Sequence, residues 1–117
     1  MACMRIYISG PISGQDRIRT VDRFNNTARI IEEAGHRAIN PINIAGWGLE
    51  WSTYMQIAFD VLQSGEVDMV YMLSGWEEST GASLERYMAI IKGIPVEYQS
   101  AEDRMRYKAN GGSNGKV

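Results

Sequence analysis

Apolar residues along this chain alternate between short continuous runs and stretches with a three- to four-residue period. Residues 4–9 (MRIYIS) are a continuous run stopped by Gly10-Pro11, the pattern of a buried strand entering a loop. Over residues 17–34, Ile18, Val21, Phe24, Ala28 and Ile31 recur at helical spacing, and Gly35 follows as a terminator. That predicts an amphipathic helix with these five side chains inward. A second short strand is predicted at 36–40 (HRAIN), cut by Pro41. Residues 41–51 have no clean period and read as a loop. A second helix follows at 52–63, with Tyr54, Ile57, Ala58, Val61 and Leu62 inward.

Residues 67–73 (VDMVYML) form the most continuous apolar run, as expected of a central parallel strand covered on both faces. A third helix is predicted over 80–92, closed by Gly93. A fourth strand is predicted over 94–98, with Pro95 near its start, where a missing donor is tolerated. Residues 101–109 add a short helix, and 110–117 (NGGSNGKV) read as a flexible tail. Strand and helix therefore alternate, which implies an α/β fold of Rossmann-like or flavodoxin-like type. The expectation is a three-layer sandwich with a parallel sheet of four to five strands. Residues 1–100 would form one α/β domain, and 101–117 a C-terminal helix and tail.

In such sheets ligands bind outside the carboxyl ends of the strands. This directs attention to the loops at 10–16, 41–51 and 74–79. The first, Gly10-Pro11-Ile12-Ser13-Gly14, lets backbone amides approach a ligand and leads into a helix N-terminus. Its glycine spacing is not that of a dinucleotide fingerprint, and such loops are also common turn devices. In the third loop, Ser79 or Thr80 is placed to cap the next helix. Gly81, Ala82, Glu85 and Ala89 are linked by three- and four-residue steps, so they form a strip of little bulk beside the Glu85 carboxylate. Leu84, Met88 and Ile91 are expected to pack on the sheet. A carboxylate beside an apolar face is a candidate for chemistry; the alternative is that Glu85 points to solvent and pairs with Arg86.

Composition narrows the function classes. At 117 residues and a net charge of -2, the chain is one domain without the clustered basic face that a nucleic-acid polymer needs. Arg104, Arg106, Lys108 and Lys116 read as a solvated stretch. Cys3 is the one cysteine, so no internal disulfide can form. No run is long and apolar enough for a membrane span, and no signal-peptide pattern opens the chain; a cytoplasmic location is expected. His36 is the lone histidine, without metal-ligand spacing around it. Neither a metal nor a cofactor is implied.

Taken together, Tyr7-Ile8-Ser9-Gly10-Pro11, the Asp60-x7-Asp68 spacing and Ser79-x-Gly81-x-x-x-Glu85, followed by Ala89, Gly93 and Pro95, resemble the nucleoside 2-deoxyribosyltransferase-like superfamily over residues 4–98. The likeness is closest to its small branch near the deoxynucleoside monophosphate N-glycosidases, in a compact group often encoded by phages. The resemblance implies that Glu85 is a nucleophile toward C1′ of a 2-deoxyribosyl group. Tyr7 would position its carboxylate, and Asp60 would protonate the departing base or bind a sugar hydroxyl. Substrate contacts are expected from Ser9, Gly10, Pro11, Ile12, Ser13, Gly14, Asn40, Pro41, Trp47, Trp76, Ser79, Gly81 and Ala82. The transferases acting on free nucleosides carry Asp at the position of Ser79. A serine there favours a 5′-monophosphate, since a hydroxyl can donate to phosphate where a carboxylate repels it.

The expected partner is thus a small nucleotide or nucleoside, with a homodimer or larger homo-oligomer completing the assembly. Two other classes remain open from sequence. One is a non-catalytic nucleotide-binding module acting as a sensor or sponge. The other is an interaction domain using Trp47, Trp51 and Trp76.

Overall fold

Four short strands pair in parallel in the order β2-β1-β3-β4. The computed structural model describes residues 2–108. The strands are β1 (Arg5–Ser9), β2 (Arg37–Ile39), β3 (Met69–Met72) and β4 (Val96–Tyr98), and the helices are α1 (Arg17–Glu33), α2 (Pro41–Ala45), α3 (Trp51–Gln63), α4 (Thr80–Lys92) and α5 (Ala101–Lys108). The fold is a Rossmann-like α/β sandwich. The tail expected at 110–117 lies outside the described residues.

Strand alternation separates two cores. Ile6 and Ile8 point to one face and pack with Phe24 and Ile31 of α1 and with Leu73. Tyr7, Val70, Met72 and Tyr98 point to the other face and pack with Ala58 and Leu62 of α3 and Ala82 and Ala89 of α4. Moving from β1 to β2 and from β1 to β3 are steps in opposite directions, so right-handed crossovers put α1 on one face and α3 and α4 on the other.

Three local expectations need correction. The inner stripe of α1 is Thr20, Phe24, Thr27 and Ile31, whereas Ile18 is 72% exposed. Ile18 lies about 200° around the helix from Thr20, on its opposite side. Thr27 is accommodated because its hydroxyl donates to the Arg23 carbonyl. Residues 41–45 form a short helix rather than a loop. Asn40 caps it, its side-chain oxygen accepting from the Ile42 amide, and Pro41 occupies the first turn, where a missing N–H costs nothing.

On α4, the third correction, the small strip faces the sheet; of the three apolar residues expected there, Met88 packs half-buried against that core, but Leu84 and Ile91 do not. Ala82, Glu85 and Ala89 are buried, while Leu84 is 36% and Ile91 59% exposed. Small side chains let the helix approach β1 and β3 closely, and that approach carries Glu85 into the interior. The bounds of α4 follow from its caps. The Ser79 hydroxyl accepts from the Ala82 amide, and Gly93 ends the helix in the left-handed region at φ 76°.

Candidate active site

Glu85 is 1% exposed at the sheet-facing side of α4. Its two oxygens take hydrogen bonds from two side chains of β1: Tyr7 donates its hydroxyl at 2.8 Å and Ser9 at 2.5 Å. Tyr54, on α3, adds a third hydroxyl facing the same carboxylate. Residues 7 and 9 point to the same face because side chains alternate along a strand. Arg86, the neighbour that could have paired with Glu85, turns the other way and lies over the rings of Trp76 and Tyr107, 4.9 and 4.6 Å from their centroids.

A buried carboxylate with neutral partners is electrostatically unusual. Burial pushes the Glu85 carboxyl up to about 7, and the hydrogen bonds from Ser9, Tyr7 and Tyr54 oppose that rise. The same burial, reinforced by the facing carboxylate, raises Tyr7 and Tyr54 well above the ordinary phenol value. Both phenols therefore stay protonated and act as donors. Near neutral pH the group converts between acid and carboxylate without a basic side chain beside it, which is the condition of a poised nucleophile or base.

Around Glu85 lies a small pocket lined by Gly10, Ile12, Ser13, Trp51, Tyr54, Ser79, Gly81 and Ala82. Two glycines make it possible. A Cβ on Gly10 would lie 2.9 Å from Leu73, so the loop after β1 can cross β3 only with glycine there. A Cβ on Gly81 would stand 3.2 Å from the Met55 sulfur and 3.4 Å from Trp51 Nε1, where α3 and α4 close on each other. As it stands, the pocket encloses about 10 Å³, room for one water.

The structure gathers Tyr7, Ser9, Gly10, Ile12, Ser13, Ser79, Gly81, Ala82 and Glu85 in one place. The other expected site residues lie elsewhere. Pro11 packs toward Gly75, 3.7 Å from that glycine's Cβ position, and Gly14 forms a turn at φ 76°. Asn40 is buried as the α2 cap and donates to Asn25. Pro41 lines a separate apolar hollow behind Tyr7 and Tyr54. Trp47 packs against the α1-side core. Trp76 is buried, packs at a tilt against the rings of Tyr98 and Tyr107, and donates Nε1–H to Asp103 at 3.1 Å, which ties α5 to the body of the fold.

Asp60 is the largest displacement from expectation. It is exposed, accepts from Gln56 at 3.0 Å and lines a surface hollow with Arg5 and Arg37, both at the starts of their strands. It lies six residues beyond Tyr54, roughly 9 Å along α3 toward the amino end of the sheet. Tyr54 is the residue that sequence reasoning placed in the core without a role. Its signal was a hydroxyl on an otherwise apolar helix face, one turn from Trp51 and Ala58.

Among the described residues no group of three His, Cys, Asp or Glu side chains is placed to hold a metal ion, and no helix is long and apolar enough to cross a membrane. No curated protein matches the chain at a significant level. A family model does, over a span that includes all four strands, α1 to α4 and every group around Glu85. That model, described as a domain of unknown function, DUF4406, matches residues 4–98, and the chain belongs to that family.

Proposed function

We propose that this protein cleaves or exchanges the N-glycosidic bond of a 2′-deoxynucleotide, with Glu85 as the nucleophile. The observation that carries the reading is the buried Glu85 carboxylate held between Tyr7 and Ser9 at a strand-end pocket. The resemblance to the nucleoside 2-deoxyribosyltransferase-like superfamily supports it.

In the proposed reaction a Glu85 oxygen forms a bond to C1′ as the C1′–N bond breaks, and the base leaves with the bonding electrons. Glu85 is the sole carboxyl group lining the pocket among the described residues, so the departing base takes its proton from water. Water, or the ring nitrogen of a second base, then attacks C1′, gives up its proton to the hydroxide left by the first step, and releases the carboxylate. Tyr7 and Ser9 hold the carboxylate so that the lone pair facing the pocket is directed outward. The Tyr54 hydroxyl fixes its third side. Ser79 caps α4 through its oxygen lone pair and keeps its O–H as a donor. With the α4 N-terminus and Ser13 alongside, it suits a 5′-phosphate. A deoxyribosyl group needs more room than one water, so Trp51, 44% exposed at the start of α3, must swing off Gly81. Gly46 and Gly48, both at positive φ, lie in the connection that leads into α3 and would carry this motion.

The test is base release from a panel of deoxynucleoside monophosphates and nucleosides, with and without a second base. Release from a monophosphate, lost in Glu85→Gln, supports hydrolysis, and a new nucleotide formed with the added base supports transfer. Tight nucleotide binding without any release would replace this reading with a binding module.

A further inference from the structure

The sheet's two faces are unequally covered. α1 packs over β1 and β2, but no described helix lies over the same face of β3 and β4, leaving a groove of about 410 Å³. Its floor is half-buried Met69 and Tyr71, and its wall is the side of α1 carrying Thr27, Ile30 and Ile31. Topology causes this gap: β3 and β4 are reached by crossovers on the opposite face.

The head of the groove is charged. Gln99, which lines the groove just past β4, bonds two guanidinium groups: Arg104, also in the lining, and Arg23, just beyond it. Arg23 of α1 donates to the Gln99 side-chain oxygen at 3.2 Å and to the Ser74 carbonyl at 2.6 Å. Arg104 of α5 donates to the Tyr98 and Gln99 carbonyls at 3.0 and 2.9 Å. Among the described residues neither forms an ion pair. Glu97 lines the same groove and offsets one of the two charges. The head therefore stays net positive over an aromatic floor.

We propose that this groove is a second ligand site, distinct from the Glu85 pocket, that takes a small planar aromatic anion. The ring lies on Tyr71 and Met69 against Ile30, and the acid group meets Arg23 and Arg104. Arginine suits this role because its guanidinium keeps spare donors while bonded to carbonyls. A carboxylate and a phosphate share the required chemistry.

The experiment is an amide NMR titration of the full chain with 1-naphthoate, 1-naphthyl phosphate and neutral 1-naphthalenemethanol. Shifts are expected at Thr27, Ile31, Tyr71 and Gln99, with the acids binding at least tenfold more tightly than the alcohol. The tighter of the two acids identifies the natural acid group. Arg23→Gln should remove most of that tenfold preference. Ile30→Glu, at a position 60% exposed and hence safe for folding, should do the same by repulsion while sparing the alcohol. Equal binding of acid and alcohol, acid binding unmoved by Ile30→Glu, or shifts confined to other regions would overturn the proposal. So would groove shifts that depend on protein concentration without ligand, which would mean that a second copy covers this face.

Discussion

Asp68 and Glu85 sit at opposite ends of the same sheet and have opposite surroundings. Asp68, at the amino end, accepts from the Arg5 amide at 2.8 Å and from its guanidinium at 3.0 and 3.1 Å, and these hydrogen bonds pull its carboxyl down to about 2. Glu85, near the carboxyl end, is enclosed by neutral hydroxyls and is pushed up to about 7 by burial. The first arrangement holds two strands in register and leaves the acid chemically quiet. The second keeps an acid near its ionisation point beside a pocket, at a cost in stability. One end of the sheet is built to be stable, and the other holds a buried acid near its ionisation point.

The largest effect that would test this contrast comes from Glu85→Gln, which should lower base release by at least about 10³-fold. The same variant should be more stable than the parent at high pH. Burial favours the protonated acid, so Glu85's stabilising contribution is complete below its ordinary value of 4.5 and is lost as pH rises through about 7. Removing the charge should recover up to about 3 kcal/mol at pH 8 and little at pH 4, a Tm gain on the order of 10 °C. Asp68 has the reverse sign: its contribution is present above about 3.8 and lost as pH falls through about 2. Thermal melts of parent and Glu85→Gln at both pH values decide the matter. Equal Tm at pH 8 would mean that the carboxylate is not under electrostatic tension.

Activity should follow the same titration. If ionised Glu85 attacks C1′, kcat/KM rises with pH through about 7. Tyr7→Phe removes a donor that favours the ionised form, so the rising limb should move to higher pH, with about 10- to 100-fold lower kcat/KM at pH 7. Tyr54→Phe should move the limb the same way by less, since its hydrogen bond opposes the rise least. A limb that stays in place in both variants would separate the rate from this carboxylate. It would leave Glu85 as a structural acid, as Asp68 is, though a buried one.

Much of this contrast was legible in the sequence because it rests on local rules. The apolar runs gave all four strands, and Ser79 and Gly93 bounded α4 by capping chemistry alone. Glu85 stood out by its small neighbours Gly81, Ala82 and Ala89. What escaped depends on distance in space. The rotation of α1 was misjudged because Ile18 is more apolar than Thr20, yet the buried stripe follows Phe24 and Ile31. Trp76 looked like a pocket residue, but its ring is claimed by Tyr98, Tyr107 and Asp103, and residues 103 and 107 belong to a helix of low apolar content. Tyr54 was read as core because an inward hydroxyl has no sequence mark telling what it meets.

The smallest expected effect is the sharpest check on the separation of the two ends. Asp60 keeps the spacing to Asp68 that suggested a catalytic acid, yet its carboxylate bonds Gln56 and shares a hollow with Arg5 and Arg37. If the chemistry is confined to the Glu85 pocket, Asp60→Asn should change kcat/KM by less than about threefold, under 0.7 kcal/mol. Its Tm should stay close to the parent's, because an exposed substitution away from the core is usually within about 0.5 kcal/mol. A loss comparable to that of Glu85→Gln, with the Tm unchanged, would require an acid from the amino end to reach the substrate. The continuous helix from Tyr54 to Asp60 cannot bend that far, so the acid would have to come from another copy of the chain. Gel filtration of parent and variant across a hundredfold concentration range would then show activity that follows assembly. Activity independent of concentration, with Asp60→Asn near parental, keeps the two ends apart.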